Sequence, residues 1–300
     1  MKFIERDLID TEKWDALVSN SKDSSIFSMS FYLDIVADNW CIFVDEDYTR
    51  GIALPYQVSL GIKCCYTPSF VRYLEWFGQS LDDFRFMTEL KHYFPAGRLH
   101  TKHKIRTRKL KRWVYQKIDS IAETEYSPQT LRIFEKFERS ELDLNWDINQ
   151  DLLMHQIRSE SGLKAHSLNR KTISVLDKLI QELNHKGFLK TLVVSDSFTF
   201  HGGVFLISFN DMLMQLRHSF SRNAKEMGAS YGVLQHAICE AHERGLVFDF
   251  GGSNAESVKR THYYLGGEDA KYYVTHWDRS PSWHKFLVRV KNLFLRGTSF

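Results

Sequence analysis

The sequence predicts a protein of the α+β class, and the prediction rests on a repeated order of elements and on one strand–helix–strand segment. In residues 1–140, two helical segments precede a series of short strands and a further helix. Residues 141–300 begin with the same order, and residues 245–273 then alternate strand, helix and strand. Strands in antiparallel series, packed with helices, are typical of this class. We therefore expect two domains, divided near Ser140.

The composition is that of a globular protein. The chain has 300 residues, of which 43% are hydrophobic and 26% charged, and its net charge of +3 is too small to require a nucleic-acid partner. Cys64 and Cys65 should point to opposite faces of a strand, and no CxxC spacing occurs, so we expect no metal site. The cysteine usage and the absence of a leader-like segment predict a cytoplasmic location. No apolar run approaches the ~20 residues that a membrane span needs.

Apolar spacing defines the elements of the first half. Helical spacing occurs in TEKWDALVSNS, SFYLDIVADNW and LDDFRFMTELKHYF, and again in SPQTLRIFEKFER before Ser140. Short apolar or alternating runs predict strands at WCIFVDE, GIALPYQV, IKCCYT and VRYLEWFG.

The second half follows the same pattern. Helices are predicted at INQDLLMHQIRSES, TISVLDKLIQELNHKG and SYGVLQHAICEAHERG, and strands at LKTLVVSD, GVFLISFN and MLMQLRHSF. The residues His201-Gly202-Gly203 are expected to form a hairpin turn between two of these strands.

The segment GLVFDFGGSNAESVKRTHYYLGGEDAKYY predicts a strand that stops abruptly at two glycines. Leu246 to Phe250 form the strand, Gly251 and Gly252 break it, and Ser253 or Asn254 can cap the helix that follows. Asp249 stands near the carboxyl end of the strand, which is where open α/β sheets bind ligands. Asp249 could act as a general base, bind an acceptor amine or cap the helix, and the sequence leaves these alternatives open.

A second glycine-bearing turn precedes the helix SYGVLQHAICEAHERG. Gly228 and Gly232 flank the start of the helix, Ser230 can cap it, and Arg222 and Lys225 add positive charge. Backbone N–H groups at a helix N-terminus favour phosphate or pyrophosphate. The alternative is a polar loop without a ligand.

This order of elements and this turn resemble the GNAT superfamily of N-acyltransferases. There, the turn after the fourth strand reads Arg/Gln-x-x-Gly-x-Gly/Ala and holds the pyrophosphate of acyl-coenzyme A. Here the turn reads Lys225-Glu226-Met227-Gly228-Ala229-Ser230, with lysine and serine in place of two family residues. The resemblance implies GNAT-like domains at 1–140 and 141–300 and an acyl-coenzyme A co-substrate. The implied binding residues are Arg222, Lys225, Gly228, Ala229, Ser230 and Gly232.

Residues 241–251 narrow the resemblance to one branch. A helix ending in Ala-x-x-x-Gly leads here into a strand ending in Asp-Phe-Gly-Gly, as in the Fem-like acyltransferases. These are relatives of the peptidoglycan-bridge aminoacyltransferases and of leucyl/phenylalanyl-tRNA transferase. The resemblance covers most of residues 24–275. The chain has no insertion long enough for the coiled-coil arm of the bridge-forming relatives, which favours a coenzyme A thioester over aminoacyl-tRNA as the donor.

The resemblance also implies catalytic roles. Backbone N–H groups of the strand at residues 212–220 would polarise the carbonyl, and a tyrosine four residues before the terminal glycine of the last helix would protonate the leaving group. Counting back from Gly266 gives His262, and counting back from Gly267 gives Tyr263, so the register stays open. His218 could be the base if its side chain faces the cleft.

Two basic segments suggest partners. KHKIRTRKLKRWVYQK, residues 102–117, has eight Lys or Arg residues and no acid, and alternation from Lys102 to Arg108 would line one face of a strand. Such a strip could bind tRNA or be a solvated sheet edge. The helix PSWHKFLVRVKNLFLRG is amphipathic, and docking on the body of the protein is preferred to a peripheral membrane contact.

The expected function is therefore transfer of an acyl group from acyl-coenzyme A to an amine on a small molecule or cell-envelope acceptor. Two alternatives stay open: an aminoacyl-tRNA-dependent Fem-like aminoacyltransferase, and a GNAT-like protein that has lost catalysis and only binds a ligand.

Overall fold

The chain folds into two compact units, and the computed structural model describes residues 1–107, 110–119, 126–161, 168–252 and 255–296. Unit 1 consists of Met1–Trp113 and Tyr272–Phe300, and unit 2 of Val114–Lys271. Unit 2 thus begins before Ser140, because the strand and the helix that precede Ser140 in sequence pack within this unit. That residues 1–140 and 141–300 are separate GNAT-like domains stays a prediction.

The described residues form α-helices and β-strands that are numbered in chain order. The helices are α1 (Thr11–Asn20), α2 (Ser30–Val36), α3 (Asp83–Tyr93), α4 (Pro128–Glu138), α5 (Gln150–Ser161), α6 (Arg170–His185), α7 (Arg222–Glu226), α8 (Ala229–Glu243), α9 (Glu256–Tyr264) and α10 (Ser282–Arg296). The strands are β1 (Lys2–Glu5), β2 (Asn39–Val44), β3 (Gly51–Ser59), β4 (Ile62–Cys65), β5 (Trp76–Phe77), β6 (Ala96–Thr101), β7 (Leu110–Ile118), β8 (Asp143–Trp146), β9 (Leu189–Ser195), β10 (Phe200–Phe209), β11 (Met212–Phe220), β12 (Val247–Asp249) and β13 (Glu268–Asp278).

The sheet of unit 1 has the strand order β1-β2-β3-β4-β6-β13, and β5 pairs with β3. Only the β4–β6 neighbours run parallel. Helix α1 forms because Trp14 and Val18 share one face, and the Asp10 carboxylate caps it by accepting the Lys13 N–H. Trp14 and Tyr32 are fully buried, so the apolar faces of α1 and α2 supply the core of this unit.

The sheet of unit 2 has the order β7-β12-β11-β10-β9-β8, and only β11 and β12 run parallel. Helices α4 and α8 pack tightly because Gly232 has no side chain. A Cβ at Gly232 would lie 1.9 Å from the ring of Phe137. The α+β prediction is confirmed, because the chain forms mixed sheets packed with helices.

The hairpin between β9 and β10 corrects one prediction. His201, Gly202 and Gly203 lie inside β10 and not in a turn. The turn lies at residues 196–199, where the carboxylate of Asp196 accepts the N–H groups of Phe198 and Thr199. Aspartate commonly holds a turn in this way, and the glycines instead allow β10 to approach its neighbours closely.

Candidate active site

A cleft opens in unit 2 where two parallel strands separate. The pairing of β11 with β12 runs from Met212↔Val247 to Met214↔Asp249, after which β12 ends and β11 continues to Phe220. A bulge at Leu216 bends β11 at the same point, because Phe205 and Leu206 of β10 face Arg217 and Gln215. Backbone groups on this edge of β11 are thereby released from the ladder and available to a ligand.

A cavity of about 280 Å³ occupies this opening. Strand β11 supplies most of one wall, α7 contributes one side chain and α9 two, and the glycine turn after β12 closes the end. The lining residues are Gln215, Leu216, Arg217, His218, Ser219, Lys225, Phe250, Gly251, Gly252, Val258 and His262.

The glycine turn can form only with glycine at its first position. Gly251 has φ +77°, and a Cβ there would lie 2.2 Å from the carbonyl oxygen of Gln215. Asp249 is 1% exposed, and its Oδ1 accepts the Gly251 N–H at 2.9 Å, so this carboxylate holds the turn. Asp249 does not belong to the cavity lining among the described residues. The predicted caps, Ser253 and Asn254, lie outside the described residues.

His262 lines the cavity and is held on two sides. The side chain is 2% exposed, and its ring stacks on Phe250 with 4.5 Å between ring centroids. Its Nδ1 lies 3.1 Å from Oε1 of Gln116, and the Gln116 Nε2 donates to Oδ1 of Asp269 at 2.8 Å. Because the amide orientation is fixed by Asp269, Gln116 presents an acceptor, and the imidazole proton is placed on Nδ1. The lone pair of the neutral imidazole is then on Nε2.

Tyr263, the alternative to His262, points elsewhere. Its side chain is 44% exposed, and its hydroxyl donates to Oδ1 of Asp269 at 2.8 Å. That hydrogen bond raises the pKa of the Tyr263 hydroxyl, because the bond is made by the protonated form. Of the two candidates, the structure places His262 in the cavity wall.

The β11 wall carries further polar groups. His218 lines the cavity, and its Nδ1 lies 2.7 Å from the Gln215 amide nitrogen. The Oε1 of Gln215 and the Oγ of Ser219 are buried and have no hydrogen-bond partner in the described part of the chain. Buried polar atoms of this kind are satisfied by a bound molecule or by water. The wall is therefore suited to a polar substrate.

The predicted pyrophosphate turn is partly folded into helix α7. Four of its backbone N–H groups donate within the turn: Met227 to Asn223, Gly228 to Lys225, and both Tyr231 and Gly232 to Gly228. Gly228, Ala229 and Gly232 are buried, and a Cβ at Gly228 would lie 2.8 Å from the carbonyl oxygen of Ile133. Ser230 is half-buried, whereas Arg222 and Lys225 are exposed.

The structure brings together part of the predicted site. His218, His262 and Lys225 share one cavity, whereas Asp249 and Tyr263 are not in its lining. Sequence reasoning missed Gln116 and Asp269, which orient His262, because they lie far from it in sequence and follow no motif. It also missed Gln215, although a glutamine in an apolar strand was a visible signal.

The first half of the basic segment, residues 102–117, does not form the predicted strand. Strand β6 ends at Thr101 and β7 begins at Leu110, so residues 102–107 are irregular, and Arg108 lies outside the described residues. Two of its lysines are paired: Lys102 donates to Asp23 and Lys117 to Asp119. Binding of tRNA by this segment stays a prediction.

Helix α10 exposes apolar side chains in its first two turns. Trp283, Phe286 and Leu287 are 53, 64 and 42% exposed, whereas His284 is buried beside the Ser59 carbonyl, and docking of the rest of the apolar face stays a prediction. A peripheral membrane contact stays a prediction. No helix among the described residues is long and apolar enough to span a membrane.

Comparisons with known proteins concern the family and the fold of the chain. A family model described as an acetyltransferase (GNAT) domain matches residues 108–272. FemX, at 8% identity, aligns with a TM-score of 0.62 over 91% of this chain and 97% of its own. L-PGS from Bacillus licheniformis, at 13% identity, aligns with a TM-score of 0.55 over 96% of this chain and 97% of its own.

A tandem GNAT protein from the clavulanic acid biosynthesis pathway is also similar. It aligns with a TM-score of 0.51 at 9% identity, over 94% of this chain and 99% of its own. At such identities these structures show a shared fold, and no curated protein matches the sequence. Because the family match spans more than half of the chain, the protein belongs to the GNAT family and is an acyltransferase.

Proposed function

We propose that the cleft between β11 and β12 transfers an acyl group to an amine, with His262 as the proton-transfer group. The observation that carries the proposal is the relay Asp269–Gln116–His262, with separations of 2.8 and 3.1 Å, behind a cavity-lining imidazole. A buried imidazole with a fixed tautomer is suited to general acid–base catalysis near neutral pH.

The chemistry follows from the walls of the cleft. The amine nitrogen attacks the acyl carbon, and the carbonyl oxygen is stabilised by N–H groups on the edge of β11 beyond Met214. Nε2 of His262 accepts a proton from the amine. The bond from the acyl carbon to the leaving group then breaks, and the proton passes from His262 to the leaving group. The products are an amide and a neutral leaving group, and no redox step is involved.

Acyl-coenzyme A is the donor proposed first. Lys225 lines the cavity and would contact the phosphates, and Arg222, one helical turn earlier, would have to leave Glu226, to which it donates at 3.0 Å, before it could add a second contact. The turn itself fits a pyrophosphate only in part, because four of its N–H groups already donate within the chain. Binding would therefore depend on the two cations more than on the backbone. A thioester supplies the activated carbonyl.

Aminoacyl-tRNA is the second candidate, and one observation favours it. Helix α4 covers the N-terminal turn of α8, with Ile133 next to Gly228 and Phe137 next to Gly232. The turn is therefore less accessible to the phosphates of coenzyme A than an uncovered glycine loop would be. An aminoacyl ester also presents a reactive carbonyl, and its tRNA phosphates would contact Lys225 without using the backbone N–H groups of this turn. The acceptor is proposed to be an amine of a small molecule or of a cell-envelope component.

Steady-state kinetics of His262→Ala and Gln116→Leu test the proposal, with acetyl-coenzyme A or aminoacyl-tRNA as the donor and a panel of amines as acceptors. His262→Ala should lower kcat by roughly 10²–10⁴-fold. Gln116→Leu should lower kcat by roughly tenfold, because it removes one orienting hydrogen bond.

The exposed His242→Ala on α8 is the matched control and should leave kcat unchanged. Full turnover by folded His262→Ala would contradict the assignment of His262. Absence of transfer by the wild type with both donors would contradict the proposed reaction.

A further inference from the structure

A second cavity, of about 350 Å³, lies in unit 1 and takes no part in the proposed reaction. About half of its wall is apolar and comes from Ile52, Leu74, Trp76, Leu81, Phe86 and Ile105. The Trp76 and Phe86 rings meet edge to face, with centroids 5.0 Å apart. Cavities of this size that combine an apolar wall with a few polar groups are typical ligand sites.

The acids of this cavity already have donors. Asp23 accepts the Lys102 ammonium at 2.9 Å, and Oδ2 of Asp83 accepts the Arg106 backbone N–H at 2.9 Å. Both contacts hold the irregular segment 102–107 against the cavity. Lys102 therefore offsets the charge of Asp23, whereas Asp83 keeps its charge because its donor is a neutral N–H.

One hydrogen-bond donor of this cavity, in contrast, has no acceptor. The indole Nε1 of Trp76 is buried and has no hydrogen-bond partner among the described residues. His103 and the exposed Lys104 line the same wall. An unpaired buried donor is destabilising, and a ligand that accepts this hydrogen bond would remove that cost.

His103 is backed by a buried acid. Oε2 of Glu75, a residue 1% exposed, lies 3.4 Å from Nδ1 of His103, and its Oε1 lies 3.6 Å from Lys102. The Glu75 carboxylate raises the pKa of the His103 imidazole, because it stabilises the charged form. The wall therefore offers the indole N–H of Trp76, the imidazole of His103 and the ammonium group of Lys104.

We propose that this cavity of unit 1 binds a small organic carboxylate with a compact apolar body. The apolar body would pack against Trp76 and Phe86, and one carboxylate oxygen would accept the Trp76 indole N–H. His103 and Lys104 would neutralise the charge. A carboxylate supplies the acceptor that no described residue gives the Trp76 N–H, and Lys104 attracts its charge, whereas an ammonium group can only donate.

Calorimetric titration of the full chain with phenylbutyrate, phenylbutanol and phenylbutylamine tests this directly, because the three probes share one body and differ in the head group. The carboxylate should bind at least about tenfold more tightly than the alcohol and the amine. Lys104→Met should weaken carboxylate binding about tenfold without affecting the alcohol. Trp76→Phe keeps an aromatic ring, removes the N–H and should weaken the carboxylate.

Lys111→Met is the matched control, because Lys111 is an exposed lysine on β7 that does not line the cavity. Thermal denaturation of each variant establishes that it is folded. The proposal is overturned if phenylbutyrate does not bind, if the amine binds equally well, or if neither Lys104→Met nor Trp76→Phe weakens the carboxylate.

Discussion

The Asp249 side chain illustrates how one buried carboxylate can hold a functional turn without reaching the substrate. Its Oδ1 accepts the N–H of Gly251, and both glycines that follow Phe250 have positive φ. The turn then supplies Gly251 and Gly252 to the cavity. This contact favours the structural role of Asp249 over the catalytic role that the sequence also allowed.

We therefore expect Asp249→Asn to keep turnover per folded molecule close to that of the wild type, because asparagine still presents a side-chain oxygen to Gly251. Asp249→Ala should lower the free energy of unfolding by about 1–3 kcal/mol, because the turn loses its acceptor. Urea denaturation and kcat measure the two effects. A fall in kcat of roughly 10²-fold or more in folded Asp249→Asn would instead identify a base or an amine anchor.

Glu75 and His103 predict a pH dependence of stability in unit 1. Burial raises the pKa of Glu75, and Glu75 in turn raises the pKa of His103. Groups whose pKa is raised by folding stabilise the fold at low pH, and this contribution is lost as pH rises through the folded pKa. Asp23 and Lys102 face the same pair.

The free energy of unfolding of the wild type, relative to Glu75→Gln, should therefore be most favourable near about pH 4 and should decline toward about pH 8. Denaturation of both proteins across this range is the measurement. Glu89→Gln, an exposed acid on α3, serves as the control and should parallel the wild type. A wild-type advantage that grows with pH would have the opposite sign and would contradict the assignment.

At the scale of elements, helix α4 packs over the start of α8. The ring of Phe137 packs against Gly232, and the carbonyl of Ile133 lies against Gly228. Gly232→Ala should destabilise unit 2 by about 1–3 kcal/mol, because the new methyl group overlaps the ring. Phe137→Ala is itself destabilising because the ring is buried, but combined with Gly232→Ala the total loss should be smaller than the sum of the two single losses, because the overlap with the ring is gone.

A double-mutant cycle by urea denaturation measures the coupling. Ser230→Ala, two residues earlier and half-buried, is the control and should be nearly neutral. Additive losses in the double mutant would show that the two residues do not compete for the same space.

The elements of the cleft show what the sequence could and could not predict. The stop after Phe250 was predictable, because two consecutive glycines interrupt an apolar strand. The bulge at Leu216 was not, since it depends on how β10 pairs with β11. The choice between His262 and Tyr263 also required the structure, because adjacent helical residues point about 100° apart and sequence spacing did not fix the rotation of α9.

At the scale of the whole molecule, the α+β fold and the GNAT family were predictable from the order of elements and from the Asp-Phe-Gly-Gly segment. The composition of the compact units was not, because Tyr272–Phe300 belongs with the N-terminal residues and the pairing of β13 with β6 is a long-range contact. The role of Gln116 was not predictable for the same reason, because its contact with His262 joins residues 146 positions apart in sequence.

The central claim is that the acyl donor binds in the cleft of unit 2, and calorimetric titration of Lys225→Glu tests it most directly. Acetyl-coenzyme A and aminoacyl-tRNA would each be titrated into the wild type, Lys225→Glu and the control Lys178→Glu, an exposed lysine on α6. One donor should bind the wild type and the control equally, and Lys225→Glu should bind it about tenfold or more weakly, because an anion replaces a cation beside phosphate. Unchanged affinity in folded Lys225→Glu, or no binding of either donor to the wild type, would contradict the account.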